Sequence, residues 1–284
     1  MIFFRIVIIA GALYAAISAF FFLFQNSFMF FPAPVTFGRC PEMERFSVKA
    51  VSSGKLRFYL REVDKPLSWI VIFHGNAGSA CDRMYYIDLF QDIPANIVIL
   101  EYPGFGKDGR KPGEEIILSE ASDLIKHIQK VQSEKLPIYL LGESLGTGVA
   151  TWLAAKEEVQ GLILISPYTS FVDLAATHYF WLPVNLLLKN RFLADKWAKN
   201  VNSKVLAFHG IKDTIIPIKF ARQQMANFSC PKKFIEFDNT AHNDITINGK
   251  TVIQMRLENL SSHFKSCLIL IRCLCWREET MKYD

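Results

Sequence analysis

The stretch Leu140-Leu141-Gly142-Glu143-Ser144-Leu145-Gly146-Thr147-Gly148 constrains this chain more than any other. An apolar run, Ile138–Leu141, stops at a glycine, and a helix-forming pattern begins one residue after Ser144. A strand that passes into a helix so abruptly must put its junction residue into a strained turn, with small residues two positions to either side. Gly142 and Gly146 occupy those positions. Such a turn lifts the Ser144 hydroxyl above the helix N-terminus at the carboxyl edge of a sheet. The Gly-x-Ser-x-Gly pattern arises often by chance, so its value here comes from the strand before it and the helix after it.

The rest of the chain supplies the sheet. Short apolar runs recur at Trp69–Phe73, Ile97–Leu100, Ile138–Leu141, Gly161–Ile165, Val205–Phe208 and Phe234–Phe237. Continuously apolar strands are buried on both faces, as a parallel sheet requires. Between the second and third runs, Glu114–Gln132 places Ala121, Leu124, Ile125, Ile128 and Val131 on one helical face. Arg45–Val51 and Leu56–Val63 flank Ser53-Gly54 and read as a hairpin. The expected class is α/β, with a mostly parallel central sheet flanked by helices. Residues 169–201, with Phe171, Tyr179, Phe180, Trp181 and Leu186–Leu188, are too long for a tight connection. They read as a helical elaboration near the site, either ordinary core helices or a substrate-facing lid.

A serine hydroxyl needs a base, and the base needs an orienting acid. Asp213 follows the run Val205–Phe208, and His242 lies in the loop after Phe234–Phe237. Both fall beyond the carboxyl ends of strands, on the edge that carries Ser144. Asp238 and Asp244 share the His242 loop, so Asp213, from a neighbouring strand end, is the expected acid. Two backbone N–H groups should face the charge that develops on an attacked carbonyl. Leu145 at the helix N-terminus offers one, and Asn76 in the loop Phe73-His74-Gly75-Asn76-Ala77-Gly78 offers the other. His74, at the strand end, reads as a loop-shaping residue.

From Ile6 to Gly38 there is no Asp, Glu, Lys or Arg, and the 19 residues Ile6–Phe24 are apolar apart from Ser18 and small residues. At about 1.5 Å per residue such a helix nearly crosses a hydrocarbon core of about 30 Å. Ala19 is followed by Phe20-Phe21-Phe22, a poor cleavage site for a signal peptidase. An uncleaved transmembrane anchor is expected, with Gln25–Pro34 as its interfacial exit. Arg5 and the α-amino group precede the apolar run, and the next basic residue is Arg39. That bias places the N-terminus in the cytoplasm and the remainder in a periplasm or lumen. The expected organisation is an anchor over 1–31, a catalytic domain over 32–265 and a tail over 266–284. Phe264–Trp276 is apolar but too short to span, and could lie on the membrane or pack as a last helix.

The formal net charge of +5 is spread along the chain without a dense basic block, so nucleic-acid binding has no support. The six cysteines show neither zinc spacing nor a disulfide framework and leave the redox compartment open.

The loop His74-Gly75-Asn76-Ala77-Gly78, with Glu101-Tyr102-Pro103-Gly104-Phe105-Gly106, the Ser144 elbow and Ser166-Pro167-Tyr168-Thr169-Ser170, resembles the membrane-anchored α/β-hydrolase-domain proteins of the bud-emergence (Bem) type. The resemblance runs from Gln25-Asn26 to about Phe264. It implies the α/β-hydrolase fold, a Ser144–Asp213–His242 triad, an N-terminal anchor and no cofactor or metal. A related branch looks like the protein depalmitoylases, which brings in acyl thioesters. The expected function is a serine hydrolase of carboxylic esters or thioesters with an apolar acyl group. A serine peptidase, or a catalytically silent membrane-tethered binding protein, are the alternatives.

Overall fold

The computed structural model describes residues 1–254 and 279–283. It opens with helix α1, Ile2–Met29. A hairpin follows, β1 Val48–Ser53 and β2 Leu56–Arg61, with Gly54 in the left-handed conformation its tight turn requires. Strand β3 is Ser68–Phe73, followed by the short helix α2, Tyr85–Leu89, and by β4, Ala95–Leu100. Helix α3, Glu114–Val131, leads to β5, Ile138–Glu143, and across the elbow to α4, Leu145–Ala154. After β6, Gly161–Ile165, three short helices occupy the expected elaboration: α5 Phe171–His178, α6 Val184–Leu187 and α7 Ala194–Ala198. Then come β7 Lys204–Gly210, α8 Ile218–Asn227, β8 Lys232–Phe237, α9 Ile245–Asn248 and β9 Glu279–Tyr283.

Nine strands form one sheet in the order β9-β8-β7-β6-β5-β3-β4-β2-β1. Strands β3 to β9 run parallel, and β2 is antiparallel to both β1 and β4. Alternation decides which side chains face which layer. Trp69, Val71 and Phe73 join the core beneath α3 and α4, while Ile70 and Ile72 join the core beneath α2. Both faces of β3 are buried, which is why its sequence is an unbroken apolar run.

Several boundaries differ from the sequence reading, two of them near the N-terminus. The first hairpin strand begins at Val48 rather than Arg45, because 41–47 is spent on turns that end at Ser47, a residue with φ of 53°. Helix α1 continues through Gln25 to Met29, where the sequence reading placed an interfacial exit. Beyond it, Phe31 and Pro32 pair in parallel with Ala77 and Gly78, tying the exit segment to the loop after β3. Cys40 and Cys81 form a disulfide, a pairing the sequence reading did not anticipate. Cysteine spacing alone cannot reveal a bridge that depends on how the chain returns. The apolar stretch 264–276 lies outside the described residues, and Glu279–Tyr283 lines up beside β8 at the sheet edge.

Candidate active site

Ser144 sits between β5 and α4 with φ 50° and ψ −116°, a left-handed junction at a residue that is not glycine. Its N–H donates to Ile165 O at 2.8 Å, and its own carbonyl accepts from the Thr147 hydroxyl at 2.7 Å. A Cβ at Gly142 would collide with the backbone of Gly146, and one at Gly146 with the backbone of Phe73. The elbow therefore needs glycine on both sides because three backbone segments converge there.

His242 and Asp213 reach the site from the loops after β8 and β7. His242 Nε2 lies 3.1 Å from Ser144 Oγ, and His242 Nδ1 lies 2.6 Å from Asp213 Oδ2. A carboxylate oxygen can only accept, so Nδ1 carries the proton and Nε2 turns its lone pair to the serine hydroxyl. Asp213 is fixed in turn, since its Oδ1 accepts from the N–H groups of Ile215 at 2.9 Å and Ile216 at 2.7 Å. Burial pushes the Asp213 pKa up, but the His242 hydrogen bond and charge, the Ile216 N–H and His209 outweigh it and hold the carboxyl below its ordinary value. Neighbouring His209 is pushed down to about 4, chiefly by burial, and stays neutral with Nε2 2.8 Å from Ile216 O. The structure thus brings together Ser144, Asp213 and His242 from three separated parts of the sequence.

Leu145 opens α4, whose first N–H groups have no partner within the helix itself. Asn76 lines the same cavity as Ser144 and His242. His74 stands behind that loop, fully buried, with its ring 3.9 Å from that of Tyr102 and its Nδ1 2.7 Å from Gly75 O. Burial lowers its pKa to about 3. The cavity above Ser144 has a volume of about 690 Å³ and extends from the serine to apolar side chains of α1, α5 and α6.

A pattern described as alpha/beta hydrolase fold matches residues 68–196. Among solved structures, the chain is similar to the Pyrococcus furiosus esterase Pf2001 (TM-score 0.66, 16% identity, 82% of this chain and 98% of that one). It is also similar to a Paleococcus ferrophilus monoacylglycerol lipase (TM-score 0.56, 20% identity, 74% and 99%). The fold is that of the α/β hydrolases. Sequence relatives include an uncharacterized Mycobacterium tuberculosis protein, 29% identical over 177 residues, 62% of this chain and 63% of that protein. The lysophosphatidylserine lipase ABHD12 of Danio rerio is 29% identical over 174 residues, 54% of this chain and 45% of the lipase. The α/β-hydrolase domain-containing protein WAV2 of Arabidopsis thaliana is 25% identical over 205 residues, 64% and 66%. The match thus spans less than two thirds of the mycobacterial protein and less than half of the lipase.

Within this hydrolase fold, one group was not legible from the sequence. Arg83 Nε lies 3.0 and 3.1 Å from the two carboxylate oxygens of Glu143, and one of its terminal nitrogens donates to Ala77 O at 3.1 Å. The hydroxyls of Tyr85 and Tyr86 donate to Glu143 Oε2 at 2.6 and 2.9 Å. Glu143 precedes the elbow serine, and Ala77 lies in the Asn76 loop. The guanidinium therefore braces the segment before Ser144 against the Asn76 loop. Arg83 and Glu143 are separated by 60 residues, and no short spacing marks them as partners.

Proposed function

We propose that this chain is a membrane-anchored serine hydrolase that cleaves a carboxylic ester or thioester through an acyl-enzyme on Ser144. The observation that carries it is the unbroken relay Asp213–His242–Ser144 at the floor of an apolar cavity. His242 Nε2 takes the hydroxyl proton as Ser144 Oγ attacks the carbonyl carbon, and Asp213 steadies the imidazolium. The oxyanion is held by the N–H groups of Asn76 and Leu145. The leaving alcohol or thiol takes the proton from His242. Water, deprotonated by the same imidazole, then releases the acid and restores Ser144.

We assign residues 1–31 to an anchor, 32–265 to the hydrolase domain and 266–284 to a tail, with membership in the bud-emergence-type branch. Among the described residues, α1 alone is long and apolar enough to cross a membrane. The hydrolase domain faces a periplasm or lumen. Arg5, in the first turn of α1 ahead of the apolar run, favours this orientation, and the Cys40–Cys81 disulfide suits an oxidising compartment. Protease treatment of sealed spheroplasts should digest the domain while cytoplasmic markers survive; a shielded domain would reverse the orientation.

Turnover of graded acyl esters and one acyl thioester by the full chain tests the chemistry. Ser144→Ala should reduce kcat by up to about 10⁶-fold. Undiminished turnover by that variant would remove Ser144 from the reaction.

A further inference from the structure

Helix α1 is divided by its surroundings. Residues 1–16 are exposed, whereas Ile17, Ser18, Phe21, Phe22, Gln25, Asn26 and Met29 turn inward at helical spacing. The contacts on that face are specific. Gln25 is buried; its amide nitrogen donates to Leu187 O at 3.2 Å and its amide oxygen accepts from Lys189 N–H at 2.7 Å. Asn26 donates to Pro112 O at 2.9 Å and accepts from the Asn190 amide at 2.8 Å. The Phe21 ring lies 5.5 Å from that of Tyr179 and 6.0 Å from that of Trp181, and the Tyr14 hydroxyl donates to Trp181 O at 2.9 Å. A helix that served only as a tether would gain nothing from amides that must be desolvated and matched one by one.

The same face borders the cavity. Phe21, Phe28 and Met29 line it from α1, Leu174 and Leu187 from α5 and α6, and Ser144 and His242 at its floor. The exit segment continues inward, where Phe31 and Pro32 pair with Ala77 and Gly78 beside Asn76.

Length supplies the second argument. The 28 residues of α1 extend about 42 Å at about 1.5 Å per residue, against a hydrocarbon core of about 30 Å. About eight residues must therefore stand outside the core, shared between the end that carries Arg5 and the packed end. The junction then falls between Phe21 and Gln25, where the Phe21 ring meets Tyr179 and Trp181, residue types that collect at membrane interfaces. Phe180 and Leu186, each 84% exposed, project from the same tip.

We infer that residues 17–29 form a specificity-determining wall of the acyl site. The acyl chain of a membrane-borne amphiphilic ester lies between this half-helix and the α5–α6 segment, with its carbonyl at Ser144. The inference rests on the serine-hydrolase reading and adds the surface that selects the chain.

The test compares kcat/KM for p-nitrophenyl dodecanoate and p-nitrophenyl acetate, using the full chain in phosphatidylcholine vesicles. Phe21→Ala removes part of the wall, and Gln25→Leu removes its fastening. Each should lower the dodecanoate-to-acetate ratio about tenfold, the scale on which apolar pockets discriminate. Ile9→Ala, on the exposed half, should keep the wild-type ratio. Wild-type ratios in both wall variants would overturn the inference, and so would equal losses on both esters, which would make the contact merely structural. Failure of the parent reading looks different, because the wild-type chain would then hydrolyse neither ester, and the inference would fall with it.

Discussion

The floor of the cavity and its outer wall are held by different kinds of interaction. At the floor, Ser144 is locked by backbone convergence at two glycines, and its partners by a 3.1 Å hydrogen bond to His242 and a charge-assisted one of 2.6 Å from His242 to Asp213. The wall is a helix joined to the segment from α5 to Asn190 by a few aromatic edges and by hydrogen bonds of Tyr14, Gln25 and Asn26, these last across sequence separations of 162–167 residues. The floor tolerates almost no displacement, since its geometry is its chemistry. A wall of greasy side chains can shift by a methylene and still hold an acyl chain. The contrast separates two properties: damage to the floor should cost rate on every substrate, and damage to the wall should change which substrate is preferred.

After loss of the nucleophile itself, the largest effect expected at the floor is that of Asp213→Asn. The amide keeps the shape but favours the wrong imidazole tautomer, a change that costs about 10⁴-fold in kcat in a serine protease. Steady-state kinetics should show a comparable loss on short and long esters alike. Asp238→Asn and Asp244→Asn should each cost less than about tenfold, because Asp213 is the acid at Nδ1. A dead Asp238→Asn beside an active Asp213→Asn would break the assignment.

Stability should respond next. The Cys40–Cys81 bridge closes a loop with a sequence separation of 41. Replacing both cysteines by serine should lower unfolding free energy by about 3–4 kcal/mol in urea titrations. The dodecanoate-to-acetate ratio should remain that of the wild type, since the bridge belongs to neither floor nor wall.

Glu101 sharpens the contrast through pH. Burial is the main reason its pKa rises to about 7, while the Ala80 N–H and Arg57 pull the other way. The folded state thus holds this proton more tightly than the unfolded chain does. As pH rises from the ordinary carboxylate value through 7, stability falls, and the full cost is present above 7. Glu101→Gln should therefore stabilise the protein at pH 9, on the order of 2 kcal/mol, and have little effect at pH 4. A gain of equal size at both pH values would show that ionisation is not its origin.

A modest loss of rate is expected at the brace. Arg83→Gln should lower kcat about tenfold through loosened alignment of the Ala77 and Glu143 segments, with similar factors for acetate and dodecanoate. A change confined to the long ester would move Arg83 from the floor to the wall.

What the sequence made legible follows the same division. The elbow could be read because glycine, serine and the strand–helix switch lie within nine residues. The chain order Ser144, Asp213, His242 could be read because each follows a recognisable apolar run. The brace could not, since an arginine and a glutamate 60 residues apart leave no local trace. Nor could the wall: an apolar helix reads as a membrane segment whichever face is covered. Its one signal is the adjacent pair Gln25-Asn26, which in sequence reads as an interfacial exit and in the structure hydrogen-bonds to Pro112, Leu187, Lys189 and Asn190. Removing residues 1–31 would accordingly take away one side of the cavity.

The most direct measurement is covalent labelling of the full chain with a fluorophosphonate, followed by digestion and mass spectrometry. A hydroxyl activated by His242 and Asp213 should yield one adduct, on Ser144, with labelling greatly slowed in His242→Ala and absent from heat-denatured protein. A folded chain that turns over esters without an adduct on Ser144, or with its adduct on another serine whose replacement stops turnover, would contradict the assignment of Ser144 as the nucleophile.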